Sequence, residues 1–329
     1  MPLAVGIDLG GTNIFGALVD SQGKTHGWIK RKTPVAEGYA AVMAAMFAVV
    51  RELMAKAPEP VLGIGLGIPG LVDRETGMSV TSPNLFWRNQ PVLEPFRREF
   101  GLPVEMDNDV RVGALAELHF GAGRTFKSFL FTTLGTGIGA GIVIDRQLYR
   151  GPYGTAGEFG HMMIRPGGPA CNCGSTGCLE ALASGTAVRR RIKEALEAKR
   201  DGGTSLLRNM PAGSRDAWAL ARAARAGDAL ALALWDEIGT DLGLGILNYY
   251  NLLGPEAVIV GGGVSLAGDL LLEPARKVCR ERLMPGIREH VKILPAELGD
   301  EAGAVGAATL VPGLVSAPLA QEPGGILGR

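Results

Sequence analysis

Four positions of this chain have the types and spacing of a metal knot. Cys171 and Cys173 are separated by one residue, Cys178 follows shortly after, and His161 lies ten residues upstream of Cys171. Three thiolates and one imidazole make the soft Cys3His set that zinc takes in tetrahedral geometry. Protein would fill all four positions and leave none for an activated water, so the Zn2+ would be structural. Gly160, Gly167, Gly168, Gly174 and Gly177 permit the sharp turns such a knot requires. The alternative is three reduced, buried cysteines. Cys279 stands apart in a helical stretch and reads as an ordinary core residue.

Two Gly/Thr turns follow apolar runs, Asp8-Leu-Gly-Gly-Thr12 and Thr133-Leu-Gly-Thr-Gly-Ile-Gly139. Glycine lets backbone N–H groups approach phosphate oxygens, and a threonine hydroxyl adds a donor without charge. Singly, each turn reads equally well as a plain β-turn. Their repetition favours phosphate binding at Gly10, Gly11 and Thr12 and again at Thr136 and Gly137. Neither has the Gly-Lys-Ser/Thr of a P-loop, nor the following helix of a dinucleotide fingerprint. A Walker-type ATPase and a Rossmann dehydrogenase are both disfavoured. A third turn, Gly261-Gly262-Gly263, would let an adenine ring lie against bare backbone, or is a packing turn.

For acid–base work Asp109 stands out within Met106-Asp-Asn-Asp-Val110, at the junction of a strand and a helix start. Ligands of α/β sheets commonly lie there, but so do N-cap aspartates. A helix N-terminus lowers an aspartate's pKa and makes it a weak base. Phosphoryl transfer tolerates that, because its loose transition state asks for positioning more than deprotonation. Glu158 with His161, Glu180, and Asn84 in Ser82-Pro-Asn-Leu-Phe-Trp87 are further polar candidates; the two glutamates equally read as solvated surface acids. His26, His119 and His290 have no partner pattern.

These residues need strands and helices to hold them. Residues 3–8 read as a strand into the first glycine turn, 14–19 as its partner before a hairpin turn, and 39–56 as a helix. A buried strand at 61–68, a strand at 104–106 and a helix at 109–120 follow. The order strand, Gly/Thr turn, strand, turn then restarts at 129–134 and 140–144. Such a duplication implies two similar α/β lobes. Helices at 187–200, 216–226 and 228–253 come next, then a strand at 257–260, a helix at 270–284, a strand at 291–295 and a small-residue helix at 302–310. The stretch 317–329 reads as a frayed tail.

Bulk properties agree. The chain has 329 residues, 47% hydrophobic and 20% charged, with Lys+Arg 33 balancing Asp+Glu 33. That length fits two domains better than one core, and the charge balance disfavours nucleic-acid or anionic-membrane binding. The longest strictly apolar run, 41–50, is far short of the roughly 18 residues of a membrane span. No signal peptide is visible and the cysteines do not form a secreted disulfide framework, so a cytoplasmic location is expected. Glycine is the outlier at 49 residues, about twice the usual share of roughly 7%.

Taken in order, Asp8-x-Gly-Gly-Thr12, Gly67-Ile-Pro-Gly70, Asn108-Asp109, Gly135-Thr-Gly-Ile-Gly139, Glu158-Phe-Gly-His161 and Cys171-x-Cys-Gly-x2-Gly-Cys178-x-Glu180 resemble the ROK family of sugar kinases, most closely its bacterial glucokinases. The resemblance spans residues 3–312. It implies the actin/hexokinase-type, ribonuclease-H-like fold: two α/β lobes with a duplicated β-sheet core and an active-site cleft between them. The expected lobes are 1–109 plus 302–316, and 110–301 carrying the zinc knot. Asp109 would then be the base that takes the proton of the sugar 6-hydroxyl as it attacks the γ-phosphate of ATP. Asn84, Asn108, Glu158, His161 and Glu180 match the family's sugar contacts. Asp8 would help place Mg2+, Gly262 and Gly263 would lie on the nucleotide side, and zinc on one nitrogen of His161 would fix the ring so that the other meets a sugar hydroxyl. A homodimer or homotetramer is implied.

Glucose is the expected acceptor, with fructose, mannose or an N-acylated amino sugar as alternatives and polyphosphate as another conceivable donor. The family also holds sugar-sensing repressors, which carry a helix-turn-helix domain before the first phosphate motif, whereas Asp8 here is near the start. A non-catalytic sugar-binding relic is the blandest alternative. Two departures stand out: Asn13 replaces a frequent lysine, and Val110-Arg111 replaces a frequent Ala-Asn. Arg111 is expected to point away from the site.

Overall fold

The computed structural model describes residues 1–315; the tail expected at 317–329 lies outside them. In chain order come β1 (Leu3–Leu9), β2 (Asn13–Asp20), β3 (Thr25–Lys32), α1 (Tyr39–Met54), β4 (Ile64–Ile68), β5 (Leu71–Asp73), β6 (Met78–Ser82), β7 (Trp87–Pro91), α2 (Leu93–Phe100), β8 (Val104–Asn108) and α3 (Asp109–Phe120). The second half holds β9 (Phe129–Leu134), β10 (Ile138–Ile144), β11 (Gln147–Tyr149), α4 (Leu179–Ala183), α5 (Gly185–Glu197), α6 (Ala217–Arg225), α7 (Ala229–Leu253), β12 (Ala257–Gly261), α8 (Asp269–Arg282), α9 (Pro285–Arg288), β13 (Ile293–Pro295) and α10 (Ala302–Ala308).

The duplication expected from the sequence is present. One sheet runs β3-β2-β1-β4-β8 and the other β11-β10-β9-β12-β13. In each, three antiparallel strands joined by hairpins are followed by two strands parallel to the first. Register sets the glycine turns at the carboxyl ends of the parallel strands: Asp8 pairs with Gly67, and Gly261 pairs with Thr133. Those ends face each other, which is why the candidate residues converge.

A third sheet, β5-β6-β7, was not anticipated. Its strands are short, and two non-glycine residues in and beside β7, Phe86 (φ 56°) and Asn89 (φ 49°), take left-handed backbone. No alternation of period two survives there to be read.

α10 accounts for some of the glycines. A Cβ on Gly6 would lie 1.8 Å from the Ala304 carbonyl oxygen, and one on Gly65 1.7 Å from that of Ala307. On the opposite side, a Cβ on Gly306 would lie 1.7 Å from the Val112 carbonyl oxygen. The helix therefore lies with its backbone directly on β1, β4 and α3. α3 in turn serves both halves: Ala114 and Leu118 pack with Phe129, Phe131 and Val143, whereas Ala116 packs with Ala304 and Ala308. Glu117 on α3 is fully buried and accepts hydrogen bonds from the backbone of Ala122, Glu297 and Leu298, which fixes the chain as it enters α10. Among the described residues, no helix is long and apolar enough to cross a membrane.

Gly306→Ala is expected to destabilise the fold by about 1–3 kcal/mol or more, as overpacking does, because no flexible side chain is there to yield. Chemical denaturation measures it; an unchanged midpoint would show that α10 is free to move off α3.

Candidate active site

The facing strand ends enclose a cleft of about 760 Å3. Asn84, Asn108, Asp109, Thr136, Gly137, Glu158, His161, Glu180, Cys171 and Cys173 all line it. Asp8, Gly10, Gly11, Thr12, Gly262, Gly263 and Cys178 do not line it directly. Gly11 backs onto Asn84, whose Cβ is 3.1 Å from where a Cβ would stand. Gly262, at φ 85°, is wedged against the backbone of Leu134, where a Cβ would meet the carbonyl oxygen at 2.6 Å. The second glycine turn thus lines the cleft, while the first and third are packed behind and beside it. Thr33 pins the first, donating from Oγ1 to the Gly10 carbonyl at 2.7 Å. Gly185 and Thr186 pin the second, donating to the carbonyls of Gly135 and Thr136.

Asp109 is the first residue of α3, not its cap. The cap is Asn108, whose Oδ1 accepts from the N–H groups of Val110 (3.0 Å) and Arg111 (3.2 Å) while Nδ2 donates to the Gly70 carbonyl (3.0 Å). The Asp109 carboxylate shares one of those donors, its Oδ1 accepting from the Val110 N–H at 2.9 Å. Its pKa corrects the expectation of a weak base. Burial at the cleft floor pushes it up to about 6, and the N–H groups at the helix start only partly offset that.

Asp8 goes further in the same direction. Burial, then the charge of Asp109, raise it to about 8. Gly67 separates the two acids: a Cβ there would be 3.5 Å from both Asp8 Oδ1 and the Asp109 Cα. On the other flank, Gly303 leaves room for the Asp8 carboxylate, which a Cβ would meet at 2.2 Å. Two desolvated carboxylates held this close favour a proton or a cation between them.

The ligand atoms of His161, Cys171, Cys173 and Cys178 all lie within 4.8 Å of one another. Cys173 and Cys178 sulfurs are 3.7 Å apart, and Cys171 Sγ is 3.7 Å from His161 Nδ1. Tetrahedral zinc with bonds of about 2.3 Å to sulfur sets such edges at about 3.8 Å, so these residues fit the ion. With Nδ1 turned to the sulfurs, His161 directs Nε2 toward Glu158, whose Oε2 is 4.0 Å away. Glu180 begins the helix that follows Cys178. Its Oε2 accepts from the Ile138 N–H at 2.9 Å and closes over Gly137, so it joins the knot to the second glycine turn.

Several residues escaped the sequence reading. Arg111 does not turn away from the site. It lies along the cleft wall, is 5% exposed, and donates to the carbonyls of Gly154 (2.7 Å) and Ala156 (2.8 Å). Asp107, one residue before the Asn108-Asp109 pair, is fully buried and accepts from Arg150 Nε at 2.6 Å. The only sequence signal was a charged residue inside a strand. His26 has a structural partner, Asp20, at 2.7 Å, and burial pushes His119 down to about 4.

Comparison with known proteins agrees with this geometry. The model of the ROK family matches residues 4–313. A glucokinase of Thermotoga maritima is 37% identical over 308 residues, covering 93% of this chain and 96% of that one. A ROK family glucokinase from Streptomyces griseus, solved in complex with glucose and AMPPNP, superposes with a TM-score of 0.82 at 37% identity, covering 94% of this chain and 99% of that one. A xylose repressor of Caldicellulosiruptor bescii is 32% identical over 314 residues, covering 93% of this chain and 77% of the repressor.

Cys173→Ser is expected to lower bound zinc from about one equivalent to well below it, read by elemental analysis of the purified protein. Sugar affinity should fall with it, because the knot carries His161. Metal content equal to that of the wild type would remove Cys173 from the ligand set.

Proposed function

Because the chain belongs to the ROK family, we propose that it is an ATP-dependent hexokinase whose preferred acceptor is glucose, phosphorylated at the 6-hydroxyl. The observation that carries this reading is Asp109: a carboxylate at the start of a helix capped by Asn108, raised to about 6 by burial, at the floor of a cleft lined by amides, carboxylates and the second glycine turn. In the proposed reaction the Asp109 carboxylate accepts the proton of the 6-hydroxyl. The sugar oxygen then bonds to the γ-phosphorus of ATP, the bond to the β-bridging oxygen breaks, and ADP leaves. A carboxylate near pKa 6 is ionised at pH 7 yet close enough to neutrality to be an effective base.

Asn84, Asn108, Glu158, His161 and Glu180 are assigned to the sugar hydroxyls, for which amides and carboxylates offer paired hydrogen bonds. Gly10, Gly11, Thr12, Thr136 and Gly137 are assigned to the phosphates, and Gly262 with Gly263 to the nucleotide. Mg2+ bound beside Asp8 would supply charge neutralisation along the phosphates. Structural Zn2+ on His161, Cys171, Cys173 and Cys178 would hold the His161 ring. The proposed lobe boundary falls just after the Asn108-Asp109 pair, with 1–109 and 302–316 on one side and 110–301 on the other. Similarity to a repressor supports a sugar-sensing regulator as the second reading; the desolvated Asp109 favours the kinase.

The direct test is ADP release with ATP and Mg2+ over glucose, mannose, fructose, N-acetylglucosamine and N-acetylmannosamine. Selectivity for glucose is expected; activity on another sugar moves the acceptor alone, and silence from folded, zinc-loaded protein overturns the kinase. Asp109→Asn should lower kcat by roughly 10²–10⁴-fold with glucose affinity within a few fold, and retained turnover would remove the base. The base acts only when ionised, so kcat/KM should fall about tenfold per pH unit below about pH 6 and level off above it.

A further inference from the structure

The loop that carries Glu158 is weak by itself. Between Arg150 and Glu158 the chain has no regular secondary structure, and Gly151, Gly154 and Gly157 all take left-handed backbone. Three such glycines give the free segment wide conformational freedom, and ordering it costs entropy. Yet it is fastened at two places by guanidinium groups, one buried and one partly exposed. At its start, Arg150 Nε donates to Asp107 Oδ2 at 2.6 Å. In its middle, Arg111 Nη2 donates to the carbonyls of Gly154 and Ala156 at 2.7 and 2.8 Å, while Nη1 lies 3.6 Å from Asp107 Oδ1.

Asp107 is the common anchor. It is wholly buried on β8, the edge strand of the first sheet, whereas Arg150 follows β11, the edge strand of the second. Arg74 is the remaining charge facing Asp107, 3.9 Å from Oδ2; its Nε donates to the Met106 carbonyl at 2.9 Å and its Nη2 pairs with Glu105. The strap therefore crosses between the two sheets, directly beneath the Asn108-Asp109 pair. None of its contacts reaches the glycine turns at Gly10–Thr12, Gly135–Gly139 or Gly262.

We propose that Asp107, Arg111 and Arg150 are positioning residues for the acceptor sugar: they pre-order residues 151–158 so that Glu158 meets the hexose without a further ordering cost. The proposal rests on the assignment of Glu158 to the sugar. Its consequence is asymmetric, because it lowers the KM for sugar and leaves the KM for ATP untouched; the charge of Arg111 also bears on Asp109, whereas that of Arg150 does not, so Arg150 is the residue whose loss leaves the ionisation of Asp109 in place.

The test uses the zinc-loaded protein and the variants Arg150→Gln, Arg150→Lys and Arg111→Ala. For Arg150→Gln, the KM for glucose should rise about tenfold with kcat and the KM for ATP within about twofold, the signature of lost ground-state binding. Arg150→Lys should recover most of the loss, and the acid limb of the pH profile should stay in place. Hydrogen exchange of residues 151–158 in sugar-free protein should quicken in Arg150→Gln and Arg111→Ala and slow again with saturating glucose. A parallel rise of both KM values, or exchange equal to that of the wild type, overturns the strap. Should Arg111→Ala fail to fold, Arg150→Gln decides alone, since the Arg150 side chain is 28% exposed and better tolerates replacement. Exchange in sugar-free protein is read whether or not the wild type turns glucose over. A wild type that neither binds nor phosphorylates glucose therefore counts against the kinase reading, and unchanged exchange counts against the strap.

Discussion

The contact on which the rest of the structure depends is backbone against backbone. α10 has no room for side chains on the faces it presents to β1, β4 and α3, and glycine at 6, 65 and 306 lets main-chain atoms meet there at van der Waals distance. Water is excluded from that seam as from any close-packed interior. The seam ends at the two acids of the cleft, with Gly303 against Asp8 and Gly67 between Asp8 and Asp109. The same packing that joins the halves of the molecule thus crowds Asp8 and desolvates both carboxylates in part.

The treatment of buried acids differs sharply across the molecule. Asp107 faces Arg150 and Arg111, Asp241 faces Arg165 and Arg191, and Glu117 accepts three backbone N–H groups. Those charges are compensated, as burial demands. Among the carboxylic acids of the described residues, Asp8 and Asp109 are the ones whose pKa values are driven upward, because desolvation there outweighs the few donors at hand. Desolvating a pair of carboxylates is costly to the fold, and groups perturbed in this way cluster at functional sites. The position of the cost is itself the functional signal.

The knot is linked to the same cleft through short covalent distances. His161 offers one ring nitrogen to the sulfurs and the other to the side of the cleft where Glu158 lies, and Glu180, two residues after Cys178, holds the Ile138 N–H of the second glycine turn. Geometry set by the knot therefore propagates to both the candidate sugar groups and the candidate phosphate turn without any long-range device.

Residue type and spacing determined a good deal. The duplicated strand order, the helix at residues 109–120 and the Cys3His set were legible, because each depends on local pattern or on a short motif, while the grouping of Asn84, Asn108, Asp109, Glu158, His161 and Glu180 came with the resemblance to the ROK family. The third sheet was not, as its strands are too short to show periodicity. Nor could the sequence say which residue caps the helix: Asn108 and Asp109 both suit a helix start, and only the packed chain shows Asn108 as the cap and Asp109 with a raised pKa. Arg111 and Asp107 were misjudged or missed for the same reason. Which way a long charged side chain turns, and what a buried carboxylate costs, depend on partners brought from dozens of residues away. That is a property of the packed chain, absent from any segment of it.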